Sequence, residues 1–99
     1  MVTVVLNGIM IAATTHAIML HEEGYKARAY IPREEVIGTL KRTTRTTHCP
    51  FKGDATYYDV IVSGETIADA AWSYDAPFDE MAAIEGHVAF DDRFDISVG

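Results

Sequence analysis

The chain has 99 residues, 48% apolar and 23% charged, the balance of an ordinary globular protein with enough length for one core and one domain spanning 1–99. Fifteen acids against eight Lys and Arg give a formal charge of −7, which argues against nonspecific nucleic-acid binding, where cations supply the affinity. A single cysteine excludes an internal disulfide or a multi-thiolate zinc site and suits a reducing cytoplasm. No secretory leader is visible and no apolar run is long enough to span a bilayer, so a cytoplasmic, membrane-free protein is expected.

Val2–Leu6 and Ile9–Ala12 flank Asn7-Gly8, the signature of a type I′ hairpin, whose two central residues both need positive φ. Thr14–Leu20 can continue as a third strand. Glu22-Glu23-Gly24 breaks it, and Ala27–Ile31 reads as a short strand ending at Pro32. Pro32 suits the first turn of a helix, with Glu34 and Glu35 near its positive end. Val36, Ile37 and Leu40 form an apolar stripe, and the spacing predicts a helix to about residue 42.

Thr43–Thr47 is a polar, β-branched lead into the loop around Cys49. Thr56–Val62 alternates as a strand with Tyr58, Val60 and Val62 on one face. Ser63-Gly64-Glu65 turns, and Thr66–Tyr74 returns with Ala68, Ala70, Trp72 and Tyr74 on one face. Phe78–Ile84 is predicted as a short helix closed by Gly86, followed by two last strands, His87–Phe90 and Phe94–Val98. The fold class is therefore mainly β with two short helices, in one compact domain.

Charge is unevenly distributed. Seven of the eight basic residues lie between 26 and 52 beside only Glu34 and Glu35, whereas the remaining chain holds Arg93 and thirteen acids. Such a basic middle marks either an anion site or one half of an internal pairing between the two charge sets.

Cys49-Pro50-Phe51-Lys52-Gly53, followed by Ala55, Tyr57 and Tyr58, resembles the signature of a bacterial and fungal family known as domain of unknown function 427, sometimes labelled nucleotidyltransferase. Gly8, Ile11, Ala12, Thr14 and Ala17 look like its opening pattern, and Glu22 like its early acid. Tyr30-Ile31-Pro32-Arg33 is similar to its tyrosine-proline step. Ala71-Trp72-Ser73-Tyr74 with Pro77 matches its tryptophan-tyrosine-proline motif, and Gly86, Val88, Ala89 and Phe90 its closing strand. The likeness covers nearly the whole chain. Ala27 and Asp91 depart from it, where a proline and an aromatic residue are usual. The resemblance implies a β-tent or Mss4-like fold, two small antiparallel sheets leaning together over a cleft. Relatives of that architecture often carry zinc, but this chain lacks the cysteine pairs to hold one, and no metal or other cofactor is expected. The nucleotidyltransferase label has no motif behind it here.

Within this frame Cys49 is the candidate catalytic residue, because a cation such as Lys52 or a protonated His48 favours the reactive thiolate; a small buried hydrophobe is the plainer alternative. Lys52, in a Pro-x-Lys-Gly turn, is the candidate anion contact, or else a lysine paired with Asp54 or Asp59. Trp72, Tyr74 and Tyr58 are expected to wall a pocket or to form core, with Tyr30 and Arg33 as further ligand contacts. His16, His21, His48 and His87 show no metal-ligand spacing. Glu22 with Asp69 is a carboxylate pair without diagnostic spacing. Three functions stay open: binding of a small anionic or polar metabolite in a cleft between the sheets, an enzyme using Cys49 with a histidine base, and a protein-interaction module. The oligomeric state is not legible.

Overall fold

Asn7 and Gly8 take positive φ (49° and 80°), so the chain reverses within two residues and lays β1 (Val2–Leu6) against β2 (Ile9–Thr14), as the sequence predicts. In the computed structural model, which describes Met1–Gly99, seven more strands follow. They are β3 (Ile18–Leu20), β4 (Arg28–Pro32), β5 (Thr39–Cys49), β6 (Gly53–Val62), β7 (Glu65–Ser73), β8 (His87–Phe90) and β9 (Asp95–Val98). The last strand returns to β1, giving a three-stranded sheet in the order β2-β1-β9; the others form a six-stranded sheet in the order β3-β4-β8-β7-β6-β5. Every pairing is antiparallel.

The expected helix through residue 42 does not form. One 3₁₀ turn, Arg33–Glu35, follows Pro32, and Gly38 at φ 102° redirects the chain into β5. Thr39–Arg42 pair with Ile61–Tyr58, so a long ladder of β-branched residues outweighs three apolar residues at helical spacing. The second expected helix is likewise a 3₁₀ segment, Asp79–Ile84, kinked at Met81. The stretch predicted as one strand from Thr14 to Leu20 is split between the sheets. Thr14 Oγ1 accepts the His16 N–H at 2.9 Å and donates to Glu35 at 3.0 Å, and the chain then crosses to become β3.

Alternation in the large sheet gives it two different faces. Ala29, Ile31, Tyr58, Val60, Val88 and Phe90 point inward and pack on Val2, Val4, Leu6 and Ile11 of the small sheet. Tyr30, Ala55, Tyr74 and Ala89 point outward, with Ile84 closing over them. The alternation predicted for Thr66–Tyr74 breaks at Asp69 (φ 47°), where Ala68–Ala70 stand opposite Asp59 alone. The Asp69 N–H is held by Asp59 Oδ1 at 2.9 Å, and Ala70 turns into the core.

Gly53 closes the β5–β6 hairpin at φ 114°, and a Cβ there meets the Ala76 carbonyl at 3.3 Å and the Pro77 Cα at 3.7 Å. Gly53→Ala is expected to cost about 1–3 kcal/mol, since both the backbone region and the space are wrong for a side chain. An unchanged urea midpoint in that variant would show that the turn gives way freely.

Candidate functional site

Because residues directly opposite on paired strands share a face, Tyr57 on β6 faces Trp72 on β7, with ring centroids 6.2 Å apart. Tyr30 of β4 and Tyr74, just past β7, join them on the outer face of the large sheet. Two connections rise above this aromatic floor: residues 21–27 between β3 and β4, and the turn Pro50-Phe51-Lys52 between β5 and β6. Between them lies an open pocket of about 540 Å³.

The turn chemistry sends Lys52 inward. Its N–H returns to the Cys49 carbonyl at 3.3 Å and its carbonyl accepts the Phe78 N–H at 2.9 Å, so its backbone is pinned on both sides. The residue is only 8% exposed. Its ammonium meets Glu22 Oε1 at 2.5 Å, stands 3.8 Å from Cys49 Sγ and lies 5.9 Å from the Tyr74 ring centroid. Burial pushes the Lys52 pKa down, but the hydrogen bond to Glu22 and the nearby thiol more than offset it and hold the ammonium above its ordinary value. Tyr30 and Tyr74 shift the same way chiefly through burial of their hydroxyls, opposed at Tyr30 by the Trp72 indole N–H.

Cations also lie on the aromatic faces. The Arg28 guanidinium sits 5.1 Å from the Trp72 ring centroid while donating to the Phe90 carbonyl (3.1 Å) and Asp92 (3.2 Å). Arg45 stacks 4.3 Å over Tyr57, whose hydroxyl lies 3.1 Å from Thr47 Oγ1. At the rim, Tyr25 and Phe51 are the two exposed aromatic side chains.

Five of the sequence-derived candidates therefore converge on one pocket: Cys49, Lys52, Tyr30, Trp72 and Tyr74. Tyr58 and Arg33 do not. Tyr58 stands opposite Ala71, one residue out of register with Trp72, and so points to the other face. There Arg33 stacks on its ring (4.6 Å) and donates to its hydroxyl at 2.9 Å; that hydroxyl also bonds Ser73 Oγ (2.9 Å), which donates to Asp75 (2.8 Å).

The pocket is not the expected cleft between the sheets, because core side chains fill that space. A separate groove of about 460 Å³ opens at the edge of the seam, against Met19, Phe94 and Ile96. None of the four histidines lines the aromatic pocket, so the histidine base expected for a Cys49 enzyme is not there. His48 instead pairs with Asp54 at 2.7 Å. No three His, Cys, Asp or Glu side chains gather as a metal site, so the donor set for the zinc found in related architectures is missing.

Sequence reasoning missed Glu22 as the partner of Lys52 and did not single out Arg28. The pairing spans thirty residues and leaves no local signal. Tyr57 was recoverable in principle, since a register that pairs it with Trp72 follows from the turn at Ser63-Gly64 once the bulge at Asp69 is known.

The fold and the site thus define a mainly β domain of two antiparallel sheets with an aromatic pocket on its outer face. The chain matches the family model described as Domain of unknown function (DUF427) over residues 1–98, and it belongs to that family. No curated protein matches it. No helix is long and apolar enough to cross a membrane.

Removing one member of the ion pair strands the other charge in a poorly hydrated place. Lys52→Met and Glu22→Gln are each expected to cost about 2 kcal/mol, less than for a fully buried pair because Glu22 keeps 26% of its side chain in water. The double variant should lose less than the two losses added, as read by urea denaturation; simple additivity would show that the charges are uncoupled.

Alkaline pH probes the same groups. Lys52, Tyr30 and Tyr74 bind their protons more tightly folded than unfolded, relative to ordinary values of 10.5 for the amine and 10.0 for the phenols. Their contribution to stability is complete below about pH 10 and is lost as pH rises through the folded values. Tyr30→Phe and Tyr74→Phe should each remove amplitude from the high-pH end of the native tyrosinate absorbance titration. Loss from its early part instead would contradict the burial assigned to these hydroxyls.

Proposed function

We propose that this chain is a cytoplasmic small-molecule binding domain whose ligand lies on the outer face of the large sheet. It enters between segment 21–27 and the Pro50-Phe51-Lys52 turn and rests against Trp72, Tyr30 and Tyr74. One observation carries this reading: a Lys–Glu pair, with the lysine 8% exposed, stands in an open pocket of about 540 Å³ beside a free thiol and aromatic hydroxyls. An ion pair taken out of water adds little to stability, so its place at the end of a pocket is better accounted for by recognition. The Lys52 charge is already matched by Glu22, and this favours a polar ligand over a simple anion.

A thiol enzyme in the same pocket is the second reading, favoured by the 3.8 Å separation of Lys52 Nζ and Cys49 Sγ, which supports the thiolate. Glu22 is then the available proton acceptor. A single set of measurements addresses both readings. In a metabolite panel, compounds that raise the melting temperature are expected to slow iodoacetamide labelling of Cys49, because an occupant covers the thiol. A panel without stabilisers, or stabilisers that leave labelling unchanged, would remove the pocket reading. Labelling already at its maximal rate at neutral pH supports the enzyme, and the pH profile of an ordinary thiol rules it out.

A further inference from the structure

We infer that the pocket recognises a planar carboxamide or cyclic amide edge carried on an aromatic ring. The inference rests on the pocket reading above and specifies its ligand class. It begins with what the ion pair leaves unused. The Lys52 ammonium has three N–H donors. One goes to Glu22 Oε1, one faces Cys49 Sγ at 3.8 Å, a weak acceptor, and the third has no protein partner. Glu22 Oε1 takes the lysine, and no protein group donates to its Oε2. Lys52 and Glu22 both line the pocket, so a donor and an acceptor are presented to an occupant side by side.

The spacing suits an amide. Lys52 Nζ and Glu22 Oε1 are 2.5 Å apart. In an amide the oxygen and nitrogen on one carbon lie about 2.3 Å apart, from the C=O and C–N bond lengths. An amide whose N–H and C=O point the same way, as in a primary amide or a lactam, can therefore donate to Glu22 and accept from Lys52 through two nearly parallel hydrogen bonds. Charged alternatives are disfavoured by the same pair. A carboxylate that reaches Lys52 meets the Glu22 carboxylate, and an ammonium that reaches Glu22 meets Lys52 with Arg28 close by.

The rest of the pocket selects the ring. Tyr30, Tyr57, Trp72 and Tyr74 provide its aromatic walls, and a flat ring stacks on such faces without bringing a further charge. A cationic ligand has less to gain, because Arg28 and Arg45 already occupy faces of Trp72 and Tyr57.

Benzamide, benzoate and benzylamine share one ring and differ only in the group offered to the ion pair. Trp72 is the only tryptophan, so its indole N–H resonance in a nitrogen–proton correlation spectrum reports on the pocket alone. Benzamide is expected to shift that resonance and to bind about tenfold or more tightly than either charged analogue, since each analogue leaves one member of the pair unsatisfied. In Glu22→Gln the freed lysine charge should move the preference to benzoate. A wild-type preference for benzoate would overturn the amide inference while leaving a ligand pocket in place, as would stabilisers found in the metabolite panel when none of the three probes binds. If neither the probes nor the panel bind, the inference and the pocket reading fall together. Should Glu22→Gln not fold, the wild-type order of the three probes decides the question.

Discussion

Lys52 and Glu22 come from turns thirty residues apart in sequence and meet on the outer face of the six-stranded sheet. Each turn has its own reason for being there. The β5–β6 hairpin is closed by Gly53 at a φ that other residues resist, and residues 76–78 lean against it. Segment 21–27 is folded locally by the Tyr25 N–H returning to the Glu22 carbonyl at 3.0 Å. The ion pair ties these two otherwise separate connections together, and so fixes the width of the pocket mouth. Without it, Lys52 would hold a poorly hydrated charge with only a thiol and a ring for company.

The large sheet permits such a pocket because its two faces do different work. The inner face buries a continuous apolar cluster against the small sheet and supplies the hydrophobic stabilisation of the domain. The outer face is relieved of that task and keeps large aromatic side chains only partly covered, with hydroxyls, an indole N–H and a thiol among them. Tyr58 shows how sharp the division is. It is adjacent to Tyr57 in sequence, yet it is sealed in the core with Arg33, Ser73 and Asp75 arranged around its hydroxyl.

The basic middle of the chain resolves into three uses. Arg28 and Lys52 find acids, at Asp92 and Glu22, so part of the charge asymmetry is internal pairing. Arg33 and Arg45 lie on tyrosine rings. Lys41 and Arg42 stand exposed on β5, whose other edge is unpaired in the sheet order; charge there, together with the bulge between Arg42 and Thr46, discourages edge-to-edge association. The anion site suggested by composition is thereby replaced, at the pocket, by a nearly balanced set of charges.

By itself the sequence determined the type I′ turn at Asn7-Gly8, the β character of most of the chain, the inward set of Tyr58, Val60 and Val62, and the family. These are local matters: a turn needs particular φ values, and a strand half buried on a sheet shows a period of two. It also marked Cys49, Lys52, Trp72 and Tyr74 as residues worth bringing together. Tertiary structure alone decided that β5 replaces a helix, since that outcome depends on a partner strand twenty residues away. It alone decided that Trp72 faces Tyr57 and not Tyr58, because one bulge at Asp69 resets the register of everything beyond it. And it alone matched Lys52 with Glu22, a contact that no periodicity encodes, because two loops meet only after both sheets have formed.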